Sequence, residues 1–225
     1  VIVIIKKIRN MESVLNVNVT KYKSANDRSN TMEVNLWEVL SDKTPSKTID
    51  KLRELMPRTP QNELERQTVK IQLEAITVNA NYFNGAAKQD NPNYKETGLM
   101  FIDIDGKDNL HIKCMEKLKA DLSKIANIAY IELSCSGDGL HVLMPILTPK
   151  DLSAHYEAVN DHFKRLGIVI DKQVKGVTRL KYLSKDPFAF VRHDAIPYAA
   201  ILNSEDRQSQ EQFNDSMERY GKKKV

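Results

Sequence analysis

Two aspartates one residue apart, Asp103 and Asp105, close an apolar run and are followed by Gly106. Read as a β-strand, Gly98-Leu99-Met100-Phe101-Ile102-Asp103-Ile104-Asp105-Gly106 puts both carboxylates on one face, because successive side chains alternate. Carboxylates at the end of a buried strand are costly to desolvate unless a positive charge lies between them. A divalent cation supplies that charge, and hard oxygen ligands suit Mg²⁺ or Mn²⁺. A plain turn is the other reading, since Asp and Gly are common where strands end.

Two further stretches carry chemistry. Ser136-Gly137-Asp138-Gly139-Leu140-His141 is a glycine-rich turn between apolar runs. Its glycines permit backbone conformations in which successive N–H groups converge on an anion. Ser136 adds a hydroxyl, and His141 an imidazole able to hydrogen-bond a phosphate. Taken alone, such a turn is more often only a hairpin. Asp171 ends the run Ile168-Val169-Ile170 and is followed by Lys175, Arg179, Lys181 and Lys185. The carboxylate can complete a metal site, and the cations can hold a triphosphate or a nucleic-acid backbone. Taken alone, such a charge run is a solvated face.

The elements that must position these residues are readable from periodicity. Val1–Ile5 is β-branched and predicts a strand, and Val17 and Val19, alternating with polar residues, predict a second. Asp27–Asn30 is a polar loop. Val34–Leu40 has helical spacing, with Trp37 in the core. Thr44-Pro45 opens a helix through Ile49, Leu52 and Leu55 that stops at Pro57. Asn62–Glu74 predicts another helix, and Thr77–Thr97 a long loop. Cys114, Leu118, Leu122 and Ile125 share a helix face. Strands are expected at Ile128–Leu133, at Leu140–Ile146, and at Val177–Leu183 with Arg179 and Lys181 on one face. A helix opening at Asp151 or Ser153 runs through Tyr156, Val159 and Phe163 and closes at Gly167. His155 and His162, seven apart on it, are expected at the surface. Cys135 is expected to be a packing residue. Residues 205–225 are polar, a loose helix or a disordered tail.

The 225 residues carry a formal charge of +4, which permits an anionic partner without requiring one. Two cysteines with no CxxC pairing indicate neither a disulfide framework nor a structural zinc site. Val1–Ile8 is far shorter than the roughly 20 residues of a membrane helix, and lacks the basic leader and cleavage site of a signal peptide. No membrane partner and a cytoplasmic setting are therefore expected. The first residue is Val, so the chain can be a piece of a longer protein.

In this order, Asp-x-Asp, Ser-Gly-x-Gly-x-His, an apolar run ending in Asp, and then Arg resemble the three motifs of the archaeo-eukaryotic primase superfamily, the primase–polymerase domains. Ile71–Thr77, Gly98–Gly106 and Thr178–Pro187 are similar to the VirE amino-terminal type domain of Bacteroidetes mobile elements, often fused or adjacent to a VirE-like helicase. The similarity runs from about Val34 to Phe190, and departs where Glu74 replaces a common Pro. The resemblance implies an α+β fold: an RRM-like antiparallel sheet as catalytic core with an adjoining N-terminal αβ unit. It implies residues 1–33 as N-terminal strands or an extra segment, 34–200 as the domain, and 201–225 as a tail. Asp103, Asp105 and Asp171 would hold two divalent ions (Mg or Mn). Ser136, Gly137, Gly139 and His141 would cradle a nucleoside triphosphate, with Arg179 on its phosphates or on the template. Lys175, Lys181 and Lys185 would lie along the nucleic-acid backbone. The implied activity is template-dependent nucleotidyl transfer, a primase or polymerase in mobile-element replication. The implied partners are a single-stranded DNA template and a VirE-like helicase, fused or separate.

Two other readings compete. One is a primase-like module that binds DNA or a helicase without catalysis. The other is a haloacid-dehalogenase-like phosphatase, in which the first Asp of Asp-x-Asp is a nucleophile. That family usually has Thr or Val where Lys107 stands, and usually carries the motif near its N-terminus.

Overall fold

The structure, a computed structural model, describes residues 13–83, 87–88 and 90–202. The strand expected at Val1–Ile5 and the 205–225 segment lie outside the described residues. The fold is α+β with antiparallel sheets.

Asn18–Tyr22 (β1) and Thr31–Asn35 (β2) form a hairpin whose connecting loop is ordered by the Asp27 carboxylate, which accepts from the backbone N–H groups of Ser29 and Asn30. Asn35 ends β2 and caps the helix that follows, Leu36–Ser41 (α1). Ser46 caps Lys47–Glu54 (α2), just past the expected Thr44-Pro45 opening. The next helix, Glu63–Lys70 (α3), is shorter than the expected Asn62–Glu74, because residues 71–74 turn the chain into the strand Ala75–Thr77, β3. The first sheet is completed by Lys181–Tyr182 (β9), in the order β2-β1-β3-β9.

Between β3 and β9 lie Ala80–Tyr82 (β4), Tyr94–Glu96 (β5), Leu99–Ile104 (β6), Met115–Leu122 (α4), Tyr130–Leu133 (β7), Leu140–Pro145 (β8) and Leu152–Arg165 (α5). Phe190–Val191 (β10) closes the second sheet, ordered β10-β7-β8-β6. The run 168–171 lies along the free edge of β6, where the Asp171 N–H donates to the Asp103 carbonyl at 2.9 Å. In chain order β6, α4, β7, β8 and α5 make a β-α-β-β-α succession, after which this run returns beside β6. The core of this succession includes Leu122 of α4, Tyr156, Val159 and Phe163 of α5, and the apolar residues of β6 and β8.

Four expectations are corrected. The segment Thr77–Thr97 is not one long loop, because β4 and β5 pair within it. Asn79 within it is a buried clamp: it accepts from the Phe101 N–H and donates to the carbonyls of Val174 and Gly176. The strand expected at Val177–Leu183 reduces to Lys181–Tyr182. His155 is fully buried, its ring bonded to the Thr148 hydroxyl and the Ala200 carbonyl, both at 2.8 Å. A boundary at 33/34 would cut β2 in half, and β1 pairs with both β2 and β3, so residues 18–35 belong to the first sheet. Among the described residues no helix is long and apolar enough to cross a membrane.

Candidate functional site

The carboxyl end of β6 meets the neighbouring strands in one row. Asp103 lies opposite His141 on β8, and His141 opposite Glu132 on β7. Residues directly opposite in adjacent strands share a face, so these three point the same way. Asp103, Asp105, Phe101, Ser134, Cys135, Ser136, His141, Arg179 and Lys70 line one narrow cleft. Asp103 is half-buried. Its carboxylate accepts no hydrogen bond among the described residues. Burial pushes its proton affinity up; the His141 side chain opposes this, and the charges of Asp105 and Asp171 add to it.

Behind this row lies a buried ionic network. Lys181 is fully buried and its ammonium sits 2.5 Å from Glu132 Oε1. Tyr130 donates its hydroxyl to Glu132 Oε2 at 3.0 Å, and His141 Nδ1 lies 3.4 Å from Oε1. Burial alone would raise the Glu132 carboxyl, but Lys181 and His141 outweigh it and hold it down to about 2. Phe101 meets the His141 ring edge-on at 5.4 Å. With Nδ1 turned to Glu132, the other imidazole nitrogen is left for the cleft.

Other cations hold the remaining carboxylates. Asp105 lies 3.1 Å from both Arg58 Nη2 and Lys107 Nζ. Burial would raise its carboxyl, but the Lys107 hydrogen bond and the charges of Arg58 and Lys107 keep it below the ordinary value. Arg58 also reaches Asp138 at 2.8 Å, so it bridges the end of β6 and the glycine-rich turn. Asp171 accepts from Arg179 Nη2 at 2.9 Å and from the Gln173 N–H at 2.9 Å.

The glycines of the 134–139 turn serve packing rather than anion capture. The Gly137 N–H donates to the Ser134 carbonyl, and the Gly139 N–H to the Ser134 hydroxyl, so neither is free for a phosphate. A Cβ on Gly139 would run into the Ile104 carbonyl, and one on Gly106 into that of Asp138. The turn thus lies directly against the end of β6. Gly137 has φ +80°, which glycine tolerates, and a Cβ there would meet the Arg53 side chain at 3.6 Å. The residues of the turn that line the cleft are Ser134, Cys135 and Ser136. Ser136 is already bonded to Asp138 at 2.5 Å. Cys135 is buried, which raises its thiol to about 11, as befits a packing residue.

The lysines expected along a nucleic acid are otherwise engaged. Lys181, in the buried network, cannot reach a backbone. Lys185 is tied to Asp42 at 2.8 Å, and Lys175 lies 3.5 Å from Glu157. Arg179 differs from Lys181 in reaching the cleft, although the two are only two residues apart.

Oxygen donors at the end of β6 have the right chemistry for a hard divalent ion. Asp103 and Asp105 fit as a pair, since they share a face and Asp103 lacks a partner. Asp171 does not join them as arranged, being held by Arg179, and among the described residues no three His, Cys, Asp or Glu side chains are grouped to hold an ion. Sequence reading missed Arg58, Lys70 and Glu132. Glu132 carried a signal, being the one charged residue in an apolar strand run. Arg58 carried none.

The family model described as BT4734-like, N-terminal domain matches residues 68–190, which span every carboxylate of the cleft. No curated protein and no solved structure matches the chain.

Proposed function

We propose that this chain, which belongs to the family of BT4734-like N-terminal domains, is a primase–polymerase that transfers nucleotides to a 3′-hydroxyl under template direction. The observation that carries this reading is the gathering at the end of β6: Asp103 and Asp105 on one face, Asp171 bonded to the Asp103 backbone, and His141 and Arg179 at the same cleft. The resemblance of these motifs to primase–polymerase domains supports the same assignment.

Asp103 and Asp105 are the residues that would hold Mg²⁺ or Mn²⁺, with Asp171 joining if Arg179 turns to the substrate. The chemistry such ions supply when bound is charge stabilisation on the attacking and leaving oxygens. The protein's own part is positional. His141, fixed by Glu132 and Phe101, offers one ring nitrogen to a phosphate oxygen. Arg179 offers guanidinium N–H groups to the same anion. Replacing Arg179 by Ala should weaken triphosphate binding by about 1.5–3 kcal/mol, the range for a hydrogen bond to a charged group. Titrating a nucleoside triphosphate into both proteins tests this, and equal affinities count against the assignment. A single-stranded DNA template, a VirE-like helicase and mobile-element replication belong to the same proposal.

A second reading is a primase-like module that binds without catalysing. One observation favours it: Asp105 and Asp171 already have their charge neutralised by Arg58, Lys107 and Arg179. Binding of Mn²⁺ with no nucleotide incorporation under any metal would select it.

A further inference from the structure

Beside the acidic cleft lies a larger cavity of about 620 Å³, lined by Arg28, Gln67, Lys70, Gln173, Arg179 and Tyr182 among others. That volume is in the range of small-molecule sites, roughly 300–1,000 Å³. Lys70, Arg179, Leu180 and Tyr182 line both spaces, so the two are adjacent. The charges of this wall are unusual for the protein. Most cations around the cleft are paired with carboxylates, as are Arg58, Lys107 and Lys181. Arg28 and Lys70 form no ion pair among the described residues. Lys70 instead rests over the Tyr182 ring at 5.1 Å. Arg179 is paired with Asp171 through Nη2, but its buried Nε has no hydrogen-bond partner.

We propose that this cavity, between α3 and the 173–182 segment, is the site for the triphosphate tail of a nucleotide, held by Lys70, Arg28 and Arg179. The proposal rests on the nucleotidyl-transfer reading for the identity of the ligand as a nucleotide. It relocates the anion from the glycine-rich turn, whose two glycine amides are used internally, to the wall of α3. Cations clustered in one cavity suit a compact polyanion, whereas a strand needs them spaced along a track. The carboxylates at one end and the cations at the other place the reacting phosphate toward Asp103 and the tail toward Arg28.

The test is calorimetry with inorganic tripolyphosphate in EDTA, on the wild type, Lys70→Ala and Arg28→Ala, with an oligothymidylate titrated in parallel. Both substituted residues are partly or fully exposed, and thermal melts check that each variant is folded. The expected result is tripolyphosphate binding by the wild type, weakened about tenfold or more in each variant, as for loss of one hydrogen bond to a charged group. Equal binding by all three proteins, or none by the wild type, overturns the proposal. So does a loss confined to the oligothymidylate, which would make the cavity a strand path. Tripolyphosphate binding that needs Lys70, in a protein that extends no primer, would sink the polymerase reading and leave this site standing. Primer extension with unchanged tripolyphosphate binding would do the reverse.

Discussion

Asp103 and Lys181 are each expensive residues in their settings, and for opposite reasons. Lys181 is buried with a partner, so removing Glu132 strands an ammonium in the core. Glu132→Gln should cost about 3–5 kcal/mol in urea denaturation, and Glu132→Leu with Lys181→Met much less, because no charge is left behind. Glu132 also sets a pH dependence. Its carboxyl is depressed from 4.5 to about 2, so its contribution is present above the unfolded value and is lost as pH falls from 4.5 toward 2. Acid titration followed by circular dichroism should show that step in the wild type and not in Glu132→Gln. Asp103 has the opposite sign. Its carboxyl is raised, so the metal-free fold loses stability as pH climbs above its ordinary 3.8 and the group ionises. Asp103→Asn should therefore melt at a higher temperature than the wild type in EDTA at neutral pH. The Asp-x-Asp spacing was legible in the sequence because alternation alone puts both carboxylates on one face. The fates of Arg179 and Lys181 were not. The same alternation predicts a shared face for them, but the strand begins only at Lys181, so it carries no information about Arg179.

At the scale of elements, the contact between the 134–139 turn and the end of β6 decides the cleft's shape. Gly139→Ala must push the turn off the Ile104 carbonyl, and overpacking of this kind costs about 1–3 kcal/mol. Gly176→Ala meets only the Thr178 hydroxyl at 3.8 Å and should be near neutral. Comparing the two by urea denaturation checks the claim; equal costs would refute it. The glycines were visible in the sequence as a turn, but their reason was not, since close approach depends on a strand thirty residues away. The β4–β5 hairpin was missed for a related cause. Asn79 and Asn81 look like loop residues until their hydrogen bonds to distant backbone and side chains are known. The long helix α5 and strands β6 and β8 were readable because their apolar periodicity is sustained.

Among the described residues two four-stranded antiparallel sheets, accompanied by the β4–β5 hairpin, are joined across the site. Lys181 comes from the first sheet and Glu132 from the second, so their ion pair ties the two together beneath His141. The acidic wall belongs to the second sheet; Lys70 and Tyr182, from α3 and β9, form the opposite wall. A chain starting at Val34 would lose β1, the strand between β2 and β3, and should fail to unfold cooperatively in urea, although the family match begins only at residue 68. The central claim concerns what this two-walled cleft does, and primer extension tests it most directly. The wild type and Asp103→Asn are each given a labelled primer on a single-stranded template, Mn²⁺ and a nucleotide mixture. The account predicts extension by the wild type, a loss of several orders of magnitude in Asp103→Asn, and unchanged template affinity, because only transition-state stabilisation is removed. Equal extension by both proteins would contradict it, as would hydrolysis of a small phosphate ester that Asp103→Asn abolishes while neither protein extends the primer.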